Sequence, residues 1–341
     1  MPRKTKHNDL TSPELLDQVN EENKRLKQDF LDYLKSVQRS EGTINGYAHD
    51  IDIWCVWNLQ RNRNKPFVDM TKRDLISFQN WLISENENSP SRVRRIKSTL
   101  SSMSNYVENI LDDEYRGYRS IIRKVESPIN QPVREKTVFT DEQLKWLLDR
   151  LTEKGKYLQA CAVALAMCSG RRKSELPRFK ASWFADDHIV YGSLYKTPEK
   201  VKTKGRGNGK FIHCFTLVND FKPYFDRFME WRESNGITSE WLLFNPSNPA
   251  EPMNVTQLSS WAITFSNMLG VPFYWHSLRH YFTTRLSQSG LPDSVVQLVV
   301  GWTSADMVRL YDDTPDDVQI GKYFEGGGIK KDIQQSSLSD L

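Results

Sequence analysis

His276, Arg279 and Tyr311 are the residues of this chain whose types and spacing best suit chemistry on a phosphate. The run His276-Ser277-Leu278-Arg279-His280 opens a stretch that closes with Gly301-Trp302-Thr303 and Met307-Val308-Arg309-Leu310-Tyr311. An imidazole, a guanidinium, an indole N–H and a phenol therefore recur at fixed offsets. A guanidinium grips anionic oxygens with paired donors, an imidazole moves a proton, and a phenol oxygen attacks. His276 and Arg279 are three apart and share a helix face. They stand at a helix start, where free N–H groups and the dipole favour an anion. A second stretch, Ser169-Gly170-Arg171-Arg172-Lys173-Ser174-Glu175-Leu176, puts an arginine just after an apolar helix and three residues before a glutamate. That glutamate can orient an arginine that points into a cleft.

The elements that must position these groups follow from periodicity and caps. Residues 1–21 read as a flexible leader. Apolar positions recur at helical spacing from Leu26 through Phe30, Leu34 and Val37, and again at Ile44, Tyr47, Ile51 and Trp54. Thr71 with Asp74 makes a capping box for a third helix that buries Leu75, Phe78 and Trp81. Ser89-Pro90 opens a fourth, with Val93, Ile96, Leu100, Met103, Val107 and Ile110 on one face. Arg92, Arg94, Arg95 and Lys97 fall mostly on the other face. Residues 22–112 thus read as a four-helix domain with an exposed basic helix, and 113–137, with Pro128 and Pro132, as a basic linker lying along a polyanion.

A second domain is expected over 138–325. Thr140 and Gln143 form its capping box, and Phe139 with Leu144 a hydrophobic staple. The helix over 157–168 is apolar nearly all round and so belongs in the centre of a core; Gly170 ends it. Strands over 189–195 and 211–218 flank the turn Lys204-Gly205-Arg206-Gly207-Asn208-Gly209. Helices follow over 220–233, 255–269 and 276–289, with short pieces over 293–300 and 304–311. The tail, 326–341, begins at the hinge Gly326-Gly327-Gly328. The fold class is mainly α with a small antiparallel β-sheet.

Composition limits the rest. A chain of 341 residues, 38% hydrophobic and 26% charged, has the makings of two soluble globular domains. No apolar run is long enough to span a membrane, and no apolar segment follows the basic N-terminus as a secretory signal requires. Cys55, Cys161, Cys168 and Cys214 lack metal-ligand spacing and read as buried thiols in a reducing cytoplasm. The net charge is only +4, but basic residues crowd into 92–97, 116–136, 171–173 and 196–210, which suits a polyanion held at chosen surfaces.

Taken together, these motifs resemble the tyrosine recombinase (phage integrase) family. Gly170, Arg172, Ser174, Glu175 and Leu176 fill its Gly-x-Arg-x-Ser-Glu-Leu box, so the resemblance selects Arg172 and not Arg171. His276 to His280 fill its His-x-Leu-Arg-His box. Gly301-Trp302 stand where the family has glycine followed by histidine or tryptophan, and Tyr311 lies nine positions beyond Trp302. Most members carry histidine at that place; the tryptophan here is Cre-like. The resemblance covers roughly residues 22–325.

What the resemblance implies is a site-specific DNA recombinase or integrase, built as a helical core-binding domain and an α+β catalytic domain that close as a C-shaped clamp on double-stranded DNA. Arg172 and Arg279 would stabilise the transferring phosphate, His276 would assist the phenol's proton, and Trp302 would donate an indole N–H. Tyr311 would be the nucleophile and form a 3′-phosphotyrosyl bond. Glu175 and His280 would support them. A hairpin lysine would protonate the leaving 5′-oxygen; Lys204 is the choice, with Lys202 and Lys196 as alternatives. Arg92, Arg94, Arg95, Lys97 and Arg206 would contact DNA. The family implies no cofactor and no metal ion, a homotetramer in synapsis, possible accessory DNA-bending proteins, no membrane, and a cytoplasmic, nucleoid-associated location. Integration or excision of a mobile element is the expected setting. A type IB topoisomerase-like enzyme or a catalytically silent DNA-binding regulator are the alternatives.

Overall fold

The computed structural model describes residues 9–129, 137–203, 209–304, 306–314, 324–325 and 328–329. They divide into two compact units with the boundary near residue 135.

The first unit is helical: α1 (Pro13–Asp17), α2 (Glu21–Ser36), α3 (Glu41–Arg61), α4 (Lys72–Ser84) and α5 (Pro90–Ile110). Each long helix starts at a side-chain cap, from Asn20, Ser40, Thr71 and Ser89, and Thr71 forms the expected capping box with Asp74. The core gathers Leu26, Phe30, Trp54, Trp57, Phe78 and Leu100. Asp50, fully buried on α3, meets Arg92 Nη1 at 2.6 Å and accepts the Thr99 hydroxyl at 2.9 Å, so a charged link joins α3 to α5.

Three sequence expectations change here. The described part of the leader expected over 1–21 is structured: Ser12 caps α1 with Pro13 in its first turn, and Val19 is buried in the core. Much of the linker expected over 113–137 belongs to the first unit, because Ile122 is buried and Tyr115, Tyr118, Ile121 and Val125 pack on the same core. That segment covers part of α5. Lys97, expected on an exposed basic face, is only 5% exposed; its ammonium donates to the Val125 carbonyl at 2.6 Å and the Glu126 carbonyl at 3.0 Å. Burial holds its pKa below the usual lysine range. Arg94 donates to the Pro128 carbonyl at 3.0 Å, and Arg95 remains exposed.

The second unit builds on α6 (Asp141–Glu153) and α7 (Tyr157–Ser169). The Thr140–Gln143 capping box forms, and Phe139 and Leu144 are both buried. α7 is the central helix, buried from Ala160 to Ser169. Gly170 ends it at φ +60°, and a β-carbon there would lie 2.5 Å from Phe282 Cδ1, so both backbone and space require glycine.

Where two strands were expected, five short ones form: β1 (Ile189–Val190), β2 (Leu194–Lys196), β3 (Val201–Thr203), β4 (Lys210–Ile212) and β5 (Phe215–Leu217). β1, β2 and β5 make an antiparallel sheet in that order, and β3 pairs with β4 as a separate hairpin. The expected first strand breaks at Tyr191 and Gly192, both at positive φ. Then come α8 (Val218–Ser234), an unanticipated hairpin of β6 (Phe244–Asn245) and β7 (Asn248–Pro252), α9 (Val255–Leu269), α10 (Trp275–Gln288), α11 (Asp293–Val300) and α12 (Asp306–Tyr311). β8 (Phe324–Glu325) pairs with β9 (Gly328–Ile329). Among the described residues, no helix is long and apolar enough to cross a membrane. All four cysteines are free and buried.

Candidate active site

Two adjacent arginines leave the Gly170 turn in opposite directions. Arg171 is 1% exposed; its Nη2 donates to the Val300 carbonyl at 2.7 Å and the Val299 carbonyl at 3.1 Å. Those carbonyls end α11, where a helix has no partners for them and favours a cation. Arg172 is held differently. Its Nη1 donates to Glu175 Oε1 at 3.0 Å and its backbone N–H to Oε2 at 3.1 Å, while about a third of its side chain stays exposed. Glu175 is buried and serves both contacts.

Arg279 comes from the first turns of α10 and is 1% exposed. Its Nη1 donates to the Gly170 carbonyl at 2.7 Å. The guanidinium lies 4.8 Å over the Trp302 ring and 5.7 Å from the Tyr311 ring. Its Nε and Nη2 have no partner among the described residues. Burial first, then repulsion from Arg171 and Arg172, pulls its pKa down to about 9, which still leaves a cation at neutral pH.

Tyr311 ends α12 and is largely buried. Its hydroxyl lies 2.8 Å from His276 Nε2. His280 stacks on the phenol ring at 4.4 Å and 22°, and Trp302 leans on it at 4.9 Å. His276 keeps an exposed edge, yet desolvation, with His280, Arg279 and Arg172 adding positive charge, lowers its pKa to about 4. It is therefore neutral at physiological pH, with a ring nitrogen free to accept the phenol proton. Trp302 is buried, and its indole N–H has no partner among the described residues.

Arg172, Glu175, His276, Arg279, His280, Trp302 and Tyr311 thus come from four stretches of chain into one site. Gly301, at φ +76°, lets β4 approach: a β-carbon there would collide with Ile212 Cδ1. The β3–β4 hairpin accordingly borders the site, but Lys204 and Arg206 at its tip lie outside the described residues. Lys202 is exposed on β3, opposite Phe211 and on the face away from the buried Val201 and Thr203; Lys196 is exposed on β2. Arg92, Arg94, Arg95 and Lys97 belong to the first unit. The hinge residues Gly326 and Gly327 and the tail beyond Ile329 also lie outside the described residues. Among the described residues no group of His, Cys, Asp and Glu is placed to hold a metal ion. Sequence reasoning set Arg171 aside in favour of Arg172 and overlooked Thr284 and Asp313. Only Thr284 left a trace in the sequence, eight residues after His276 and hence on the same helix face.

Residues 137–317 match the sequence model of the Phage integrase family, and residues 26–116 match that of the Phage integrase, N-terminal SAM-like domain. The chain belongs to the phage integrase family. It is a tyrosine-type site-specific recombinase, an enzyme that breaks and rejoins DNA strands. The SPbeta prophage-derived recombinase-like protein YomM of Bacillus subtilis (strain 168) is 29% identical over 252 residues, 73% of this chain and 72% of that protein. A tyrosine recombinase of Thermosipho africanus (strain TCF52B) is 22% identical over 288 residues, covering 83% and 92%. A lambda integrase tetramer solved on a Holliday junction shares the fold, with a TM-score of 0.60 at 17% identity over 85% of this chain and 77% of that one.

Proposed function

We propose that Tyr311 is the nucleophile of this integrase-family enzyme. Its oxygen attacks a backbone phosphorus, the bond from phosphorus to the 5′-oxygen breaks, and a 3′-phosphotyrosyl link with a free 5′-hydroxyl results. The phenol proton passes to His276 Nε2, and the departing oxygen takes a proton from a hairpin lysine, Lys204. Arg172, Arg279 and the Trp302 indole bind the non-bridging oxygens, and Glu175 holds Arg172 in line. Attack by another 5′-hydroxyl reverses the chemistry and reseals the strand, so the bond energy stays in the protein–DNA link. One observation carries this reading: Arg279 Nε and Nη2 and the Trp302 indole N–H are buried donors with no partner among the described residues, and both residues pack on the Tyr311 ring. Buried donors are ordinarily satisfied, and three empty ones around a phenol mark where an anion belongs.

Arg92, Arg94, Arg95 and Arg206 would contact the phosphates of the bound DNA. Lys97, occupied by carbonyls, is withdrawn from that role. The recombinase-like relative derived from a prophage and the lambda integrase tetramer on a Holliday junction support a mobile-element enzyme that works as a homotetramer on DNA.

The test uses a pool of nicked duplexes with randomised sequence, on which loss of the short fragment traps the covalent product. Wild type should yield an SDS-resistant adduct whose attached nucleotide bears a 3′-phosphate. Tyr311→Phe should yield none while retaining specific DNA binding. An adduct from the Phe variant would remove Tyr311 from the mechanism.

A further inference from the structure

α12 has six residues, too few to hold its own conformation in water, so outside contacts must set the place of Tyr311. Trp302 leans on its ring, and a further set of contacts comes from one stripe of α10. His276, His280 and Thr284 are spaced by four and lie above one another on a single face. Tyr311 meets the stripe at three levels. Its hydroxyl reaches His276 Nε2 at 2.8 Å, its ring stacks on His280 at 4.4 Å, and its backbone carbonyl accepts the Thr284 hydroxyl at 3.4 Å.

The chain leaving Tyr311 closes the arrangement. Asp313 N–H donates to Thr284 Oγ1 at 2.9 Å, and Asp313 Oδ2 lies 3.3 Å from His280 Nδ1. Asp312 Oδ1 accepts both the backbone N–H and the hydroxyl of Thr314, at 3.0 and 2.6 Å, which fixes the turn after the helix. Thr284 is therefore bonded on both sides of the nucleophile, and the Asp313 carboxylate lies at ion-pair distance, outside hydrogen-bond geometry, from the imidazole against which the phenol stacks.

We propose that His280, Thr284 and Asp313 are positioning residues that dock Tyr311 onto His276 of its own chain. The inference rests on Tyr311 being the nucleophile. It adds that the register between phenol and imidazole is set from the α10 stripe and from two residues beyond the tyrosine. The effect is on placement: none of the three would touch the phosphate.

Thr284→Val keeps the shape of the side chain and removes the hydroxyl that accepts the Asp313 N–H. Two readouts on the full-length protein judge it. Without DNA, hydrogen exchange across 306–314 should quicken by about tenfold, the loss expected for one buried hydrogen bond, while 157–169 keeps its protection. With the nicked-duplex pool at saturating protein, single-turnover adduct formation should fall between about tenfold and a hundredfold with DNA affinity unchanged. Thr284→Ser should restore both. His280→Phe, which keeps a stacked ring but loses the Asp313 contact, should slow adduct formation in the same way, and it serves alone if Thr284→Val does not fold. Unchanged exchange over 306–314, or unchanged adduct formation, overturns the proposal. An adduct from Tyr311→Phe would fail the nucleophile assignment, whereas the exchange result judges the docking contacts separately.

Discussion

Replacing Arg279 by methionine separates what this residue contributes to the fold from what it contributes to the reaction. The guanidinium is 1% exposed and its pKa falls to about 9. From an ordinary guanidinium value of about 12.5 that is a fall of about 3.5 pH units, a penalty of about 5 kcal/mol for keeping the charge in the folded chain. Methionine of similar length removes the penalty. It also gives up the bond to the Gly170 carbonyl, about 1.5–3 kcal/mol, and the cation–π contact with Trp302, up to about 2 kcal/mol. No carboxylate is stranded, since Glu175 keeps Arg172. The balance lies between about zero and a gain of about 3 kcal/mol, far from the loss of about 3–5 kcal/mol that breaking a buried ion pair brings. Urea unfolding should therefore show Arg279→Met at or above wild-type stability with an unchanged m-value, while adduct formation falls roughly a thousandfold through loss of two phosphate donors. A stability loss above about 3 kcal/mol would refute the reasoning about stored charge. Adduct formation within about tenfold of wild type would refute the role given to the unpaired donors.

Three further outcomes follow from the geometry. In the DNA-free protein the His276 ring, assigned by comparison with His276→Gln, should titrate in NMR with a midpoint near 4; a midpoint at or above about 6 would contradict a desolvated imidazole. Because the unfolded chain binds that proton at its ordinary pKa near ~6.5 and the folded chain does not, His276 lowers stability as pH falls from about 6.5 to about 4, and His276→Gln should flatten the pH–stability curve in that window. Gly301→Ala should cost about 2 kcal/mol, from a left-handed alanine and a collision with Ile212, and Ile212→Val in the same chain should recover part of it; strict additivity of the two substitutions would argue against the contact.

The helices were legible because their signals are local. Thr71 with Asp74 and Thr140 with Gln143 are read three residues apart, and both boxes form. The strands were harder, because segments of two or three residues carry no period, and Tyr191 takes a positive φ that its residue type does not announce. Residues 113–129 were read as linker because an irregular segment has no repeat, although its tyrosines and isoleucines were apolar enough to join a core. Lys97 was misplaced on a signal that was available: it stands four after Val93 and three before Leu100, on the apolar face of α5. In the site, spacing brought out His276, Arg279 and Tyr311. The division between Arg171 and Arg172 was invisible to residue type, since identical neighbours face opposite surroundings and only packing tells which is enclosed.

That division also bears on how the site handles charge. Arg279 donates to the Gly170 carbonyl and Arg171 to the carbonyls of Val299 and Val300. Two guanidiniums thereby tie the turn after α7, the start of α10 and the end of α11 into one frame. Three arginines against the two carboxylates of Glu175 and Asp313, with a neutral His276, leave an excess of positive charge beside Tyr311, and the arginines' mutual repulsion is part of what lowers Arg279 and His276. In the proposed reaction a phosphodiester brings one negative charge, and attack by the phenol oxygen adds more at the non-bridging oxygens. Fixed donors interact more strongly with the larger charge, so the excess favours the transition state over the bound ground state. Arg171 has no free donor toward the phosphate, yet it shares in this field while its hydrogen bonds hold the segment that carries Trp302.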